Sequence, residues 1–436
     1  MKILLVTGAG ASVELGIPGM RQMVKDFHAH LRSLRLSEDV FDRFEKMLNE
    51  THYDMEQLIE HVESLEKGQK SQSQLGLDTN DSLLRTSRAM RWEAEWYVQY
   101  VCERLRSIDA KTMWGATFRQ RKNHELCIAT TNYDKSVEMA CIAWEVPIED
   151  GFEELGNDEV ARWEGLKQEQ GQGIRLLKIH GSTDWYYGDD RQVYKLRHPM
   201  PIYGNLELAL ADEAQATTCK MTSCLILPTR EKRTTLPPYP DLITDFRNFA
   251  RTAEIAIFVG TSLRDPDLYD VCEQCAARGT PTYVVTDDAD LAIPSRAKKM
   301  IGKASRFLTS TLPTFLACSD SNYLDNCSDE SYRRNVLDSV FDTHVKALDC
   351  RNKPDEICLA IDKLVDCGTM LDLFDICTLL SNEDVGVRKH SLALIPRSID
   401  REEAMKRAET IASSGEDQSF GEEFSMLKEM VASLPA

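Results

Sequence analysis

The feature that most constrains this chain is a set of short apolar runs, each closing on small or polar residues. They are "ILLVTG" (3–8), "LCIATTN" (126–132), "IRLLKIHG" (174–181), "CLILP" (224–228), "EIAIFVGTS" (254–262) and "TYVVTDD" (282–288). Apolar runs without alternation suit strands covered on both faces, as in a parallel sheet between helical layers. The gaps between them leave room for helical crossovers. The largest gap, 20–121, is helical in pattern, with Trp92 and Trp96 four apart on a core-facing stripe. A polar break, "EKGQKSQSQLGLDTND" (66–81), reads as a loop. The stretch 293–317 reads as a last pair of helices, and beyond "CSDSNYLDNCSDES" (318–331) the apolar strands stop. The expected fold is α/β: a Rossmann-like parallel sheet with helices on both faces and a large helical insertion, followed by an all-helical C-terminal domain. The expected domains are 1–320 and 321–436.

Bulk properties narrow the function. A chain of 436 residues can hold two domains. Its formal charge of −19 is spread along the sequence, which argues against non-specific nucleic-acid binding, a property that needs phosphate-neutralising cations. The 13 cysteines are odd in number, and six fall between Cys318 and Cys377, mostly within apolar helical patterns. They read as reduced core residues of a cytoplasmic protein. The apolar run after Lys2 is too short for a secretory signal, and no stretch has transmembrane length. A soluble chain that does not bind membranes is expected.

The strand ends carry the chemistry. In open parallel sheets, ligands sit outside the carboxyl ends of the strands, where the strand order reverses. Four runs here end in Gly8-Ala9-Gly10-Ala11-Ser12, Thr131-Asn132-Tyr133-Asp134, His180-Gly181 and Gly260-Thr261-Ser262. Gly8 and Gly10 let the backbone approach something that a Cβ would block, and Ser12 is placed to cap a following helix whose N-terminus suits a phosphate. Each set alone has an ordinary structural explanation: a ligand-free turn, a cap or a core histidine. Four sets converging on one sheet edge are harder to explain that way. The dinucleotide fingerprint G-x-G-x-x-G is broken by Val13, and the Gly-Lys-Ser/Thr of the phosphate-binding loop is absent.

The ordered set "GAGAS…GIP…R", "TTNYD", "HG" and "GTS", over roughly residues 1–310, resembles the sirtuin superfamily. The resemblance implies NAD+ as the ligand and its nicotinamide–ribose bond as the bond broken. Carried over by position, it implies Gly8, Ala9, Gly10 and Ser12 in the phosphate-binding turn and Arg21 near the nicotinamide end. It implies Asn132 and Asp134 at the nicotinamide and ribose, and His180 as the catalytic base. Gly260, Thr261 and Ser262 would hold the phosphates and adjoining ribose, with Asp287 toward the adenosine.

Two departures refine the resemblance. Protein-deacylating sirtuins carry two Cys-x-x-Cys pairs between HG and GTS; here only Cys219 and Cys224 lie there, and Cys272 and Cys275 follow GTS on one helical turn. No zinc or other metal site is expected. The stretch after His180, "GSTDWYYGDD" (181–190), does not resemble an acyl-lysine peptide clamp. In contrast, "LKIHGSTDW" (177–185), "LPTREK" (227–232) and "GTSLRDPDL" (260–268) are similar to bacterial sirtuin-like NAD hydrolases of anti-phage defence. That branch implies NAD+ hydrolysis to nicotinamide and ADP-ribose. Because an unrestrained NAD+ hydrolase would poison its host, gating is expected, by homo-oligomerisation or a partner acting through residues 320–436, with a phage component, a nucleotide signal or an associated ATPase as the trigger. An NAD-dependent deacylase and a non-catalytic NAD or ADP-ribose sensor are the alternatives.

Overall fold

The computed structural model describes residues 1–34, 38–50, 81–121, 124–155, 160–167, 173–188, 190–197, 222–225, 236–318 and 322–327, and also 58, 61–62, 64–65, 357–358 and 360. The chain divides into two compact units, one of residues 1–112 and 124–305, the other of 113–123 and 306–436. In the first unit seven strands form a sheet that is parallel throughout: β1 (Lys2–Thr7), β2 (Glu125–Thr130), β3 (Ile148–Glu149), β6 (Ile174–Lys178), β10 (Ile255–Val259), β11 (Thr282–Thr286) and β12 (Lys298–Ile301). Their order is β12-β11-β10-β1-β2-β6-β3. The five strands at the centre, β11 to β6, are buried almost end to end, which is why they stand out in the sequence as unbroken apolar runs.

The connecting helices of this unit are α1 (Ala9–Val13), α2 (Met20–Ser33), α3 (Glu38–Glu50), α4 (Asp81–Glu103), α5 (Ser107–Gln120, which starts here), α6 (Ser136–Ala143), α7 (Tyr239–Thr252) and α8 (Pro266–Arg278). One sheet face packs Leu4, Val6, Leu177 and Phe258 against Leu242, Phe246 and Phe249 of α7 and Val271, Cys272 and Cys275 of α8. The helical residues recur three or four positions apart, so each helix turns one stripe to the sheet. Between α1 and β2, helices α2, α3 and α4 build a separate core from Phe27, Leu31, Phe44, Leu48, Met90 and Val98. Trp96 packs against that core, as its spacing suggests.

The structure corrects several expectations. Lys298–Ile301, expected as helix, is the edge strand β12, paired in parallel with β11. Lysine at both of its first positions suits an exposed sheet edge and hides the apolar run that marks the central strands. Cys224 and Leu225 of "CLILP" are not in a strand, and 226–228 lie outside the described residues. A second, antiparallel sheet was not anticipated. Its strands are β4 (Phe152–Glu154), β5 (Val160–Trp163), β7 (Trp185–Tyr187), β8 (Val193–Leu196) and β9 (Thr222–Ser223), in the order β4-β5-β8-β7-β9. Strands of two to four residues are too short to show a period.

In the second unit, residues 306–318 are helical with a π turn at Phe307–Thr311, and Thr117 Oγ1 donates to the Leu308 carbonyl at 2.9 Å. The helical tail expected from 321 lies mostly outside the described residues; Tyr323–Asn326, 357–358 and 360 are helical. The loop expected at 66–81 also lies outside them, apart from Asp81. Among the described residues, no helix is long and apolar enough to cross a membrane.

Candidate active site

Strands β10, β1, β2 and β6 are consecutive neighbours and parallel, so the four motifs at their carboxyl ends lie side by side. The connections run from β1 toward β2 on one side and from β10 toward β11 on the other. The order therefore reverses between β1 and β10, where such sheets bind ligands.

At that reversal two glycine turns meet backbone to backbone. The Gly8 N–H donates to the Val259 carbonyl at 3.0 Å, and the Gly10 N–H to the Gly260 carbonyl at 2.8 Å. A Cβ on Gly10 would lie 2.8 Å from the Gly260 oxygen, and one on Gly260 would lie 2.4 Å from the Ala11 nitrogen. Gly260 also holds φ at +63°, a left-handed conformation that glycine adopts readily. What blocks a side chain on the first turn is thus the second turn. Ala9 and Gly10 are exposed on it, Gly8 is buried, Thr261 is buried with its hydroxyl accepting from the Leu263 N–H at 3.2 Å, and Ser262 is exposed.

Ser12 does not cap a helix. The helix begins earlier, with Gly8 as its N-cap, and Ser12 lies buried within it. Its hydroxyl donates to Asp134 Oδ2 at 2.7 Å and accepts from Asn132 Nδ2 at 2.8 Å. The same Asn132 Nδ2 donates to the Gly8 carbonyl at 2.9 Å. Two acceptors on that side fix which way the amide is turned, and Oδ1 points away from both. Asp134 is 4% exposed and accepts from the Ser136 N–H at 2.9 Å through its other oxygen. The carboxylate is used by the protein, and it orients Ser12 and, through it, Asn132.

The loop that carries these residues is held from below. Lys178, the last residue of β6 and 1% exposed, pairs with Glu138 at 3.0 Å and donates to the carbonyls of Tyr133 and Asp134. Tyr133 packs into the helical core around Phe27 and Val98. Lys178 was missed as a site residue, although a lysine closing an otherwise apolar buried strand is a signal in itself.

His180 follows β6 and is 7% exposed. Its Nε2 lies 2.7 Å from Asp265 Oδ2. Asp265 is the N-cap of α8: its Oδ1 accepts from the Asp267 N–H at 2.9 Å, and Pro266 takes the first helical position. Sequence reasoning missed Asp265, although Asp-Pro before an apolar stripe is a helix-start signature. Because β10 and β6 are three strand spacings apart, about 14 Å, the segment 260–265 runs across the ends of β1 and β2 to bring Asp265 to His180.

Arg21 lies in the first turn of α2, and its side chain is outside the described residues. Asp287 is exposed just past β11, the strand beyond β10. Among the described residues no group of three metal-ligating side chains occurs. Cys272 and Cys275 are buried in the core, Cys224 is buried beside the Tyr239 hydroxyl, and Cys219 lies outside the described residues. Burial pushes the Cys224 thiol up to about 11 and that of Cys272 to about 12.

Solved structures to which the chain is similar include three Sir2 complexes. A mutant Sir2 homologue in complex with 2′-O-acetyl ADP-ribose shares 15% identity at a TM-score of 0.42, over 73% of this chain and 93% of that one. A Sir2 homologue–NAD complex shares 15% identity at 0.42, over 73% and 90%. A Sir2–p53 peptide–NAD+ complex shares 13% at 0.33, over 70% and 90%. No curated protein matches the chain. Residues 126–303 match the family model described as SIR2-like domain, a span that takes in Asn132, Asp134, His180, Gly260 and Asp265.

Proposed function

We propose that this chain is an NAD+ glycohydrolase that cleaves the nicotinamide–ribose bond and releases nicotinamide, ADP-ribose and a proton. The observation that carries this reading is the meeting of a side-chain-free glycine seam with an oriented amide and a held imidazole at four adjacent strand ends. The SIR2-like match over 126–303 supports NAD+ as the substrate.

The chemistry asks little of a leaving-group acid, because nicotinamide departs neutral from its pyridinium form. The barrier lies in building positive charge at the ribose carbon, as in other glycosidic cleavages. The protein must hold the ribose and place a water against that carbon. Asn132 directs an acceptor oxygen outward, suited to a ribose hydroxyl or the attacking water. His180 takes the proton that the water loses, a role typically worth 10²–10⁴-fold. The glycine turns and the Thr261–Ser262 backbone hold the pyrophosphate, Arg21 the nicotinamide end, and Asp287 the adenosine side. Hydrolysis of cellular NAD+ fits an anti-phage effector, switched on as a homo-oligomer through residues 321–436 by a phage component or an associated ATPase.

Nicotinamide release from NAD+ without acylated peptide tests the reading. The full chain is expected to release it, and His180→Ala and Asn132→Ala, folded, are expected to fall by at least two orders of magnitude. Equal release by both variants would remove these residues from the chemistry. Release that begins only when an acylated peptide is added would make the chain a deacylase.

A further inference from the structure

We infer that Asp265 is a positioning residue that fixes the tautomer of His180, holding the proton on Nε2 and leaving Nδ1 as the base. The inference rests on the glycohydrolase reading for what Nδ1 does, but the tautomer itself stands on geometry alone.

A neutral imidazole carries one N–H donor and one acceptor, and its neighbours decide which nitrogen is which. An ionised carboxylate only accepts. Asp265 Oδ2 at 2.7 Å from Nε2 therefore demands the proton there. Nδ1 has no hydrogen-bond partner among the described residues, and 9% of the imidazole side chain remains exposed. The lone pair on Nδ1 is the one left for a water or a ribose hydroxyl.

The carboxylate is itself held from two sides. Its Oδ1 caps α8 through the Asp267 N–H, and Pro266 fixes the backbone at the first helical position. The side chain of Asp265 is 12% exposed, so its contact with His180 is largely shielded from water. A rigid helix start thus aims one oxygen at the ring while the other completes the cap. This is the nucleophile–base–orienter arrangement generalised to a base that activates water.

Asp265→Asn is the discriminating variant. Its amide oxygen can keep the cap to Asp267, while the NH2 that replaces Oδ2 can only donate to Nε2. The ring must then carry its proton on Nδ1, which removes the acceptor that faces the substrate. In the full chain labelled with 15N-histidine at pH 8, His180, identified by its loss in His180→Gln, is expected to show protonated Nε2. In Asp265→Asn it is expected to show protonated Nδ1. The variant's kcat for nicotinamide release should fall about 10²–10⁴-fold, with KM changed less than threefold and the thermal midpoint close to that of the parent chain. Asp265→Ala, which loses the cap as well, should lower the midpoint, separating the helix from the proton. An unchanged His180 tautomer in Asp265→Asn would overturn the inference, whether or not NAD+ is hydrolysed. Failure of the wild type to release nicotinamide, with the tautomer switching as expected, would overturn the glycohydrolase reading and leave this one standing.

Discussion

The two halves of the site are built on opposite principles. Between β1 and β10 the structure depends on atoms that are absent: Gly8, Gly10 and Gly260 let two backbone turns touch. At the ends of β2 and β6 it depends on atoms that are present: the Asn132 amide, the Asp134 carboxylate and the His180 imidazole, partnered by the Ser12 hydroxyl and the Asp265 carboxylate from the segments after β1 and β10. The first half breaks when a carbon is added, the second when a polar group is removed. Stability and turnover should therefore respond separately to substitutions only a few ångströms apart.

The largest expected effect sharpens that division. His180→Ala and Asn132→Ala should cost at least 10²-fold in turnover with little change in thermal midpoint; a large fall in midpoint would show that the cluster also holds the fold. Gly260→Ala comes next. Its Cβ would press on the Ala11 nitrogen, and its φ of +63° strains any other residue, so a loss of about 3 kcal/mol in a urea titration is expected. Gly16 makes a control: it also holds a positive φ, +85°, but a Cβ there meets nothing within 4 Å. Gly16→Ala should cost about 1 kcal/mol, the conformational part alone. Similar losses at Gly16 and Gly260 would mean that the seam is not what makes Gly260 necessary.

Ser12→Ala tests the other half by leaving Asp134 Oδ2 buried without its donor. A loss of about 1–3 kcal/mol is expected, with a fall in turnover of about tenfold as the Asn132 amide loses one of its two anchors. The smallest effect concerns the core that both halves share. Burial raises the thiols of Cys224 and Cys272 to about 11 and 12 from an ordinary value of 9.0. The unfolded chain then loses these protons first as the pH rises. The associated stability is fully present below pH 9 and declines from 9 toward 11–12, which urea midpoints at pH 8, 9 and 10 would register. Rapid alkylation of both thiols in the folded chain at pH 8 would contradict it.

The same contrast explains what could be read without coordinates. Central strands such as Ile255–Val259 are legible because burial on both faces forces an unbroken apolar run. The edge strand Lys298–Ile301 is not, because one side of it meets water and accepts lysines. The polar residues at strand ends were visible as types and in order. Their partners were not, since Ser12 meets Asp134 across 122 positions and His180 meets Asp265 across 85. Asp265 lies inside the "GTSLRDPDL" stretch, where Asp-Pro marks a helix start, but the oxygen that meets His180 has no local signature. The glycines were rightly read as permitting close approach, yet the approaching group is another turn of the same chain.

The seam between Gly10 and Gly260 also bears on how such sequences can diverge. Isoleucine, valine and leucine can trade places along the strands as long as volume is kept, because neighbouring side chains can adjust. Where backbone lies on backbone there is no side chain to yield, and a change at one turn has no compensating change at the other. Drift along this lineage should therefore move freely through the strands and stall at three positions, 8, 10 and 260, even in descendants that have lost the histidine and the reaction with it.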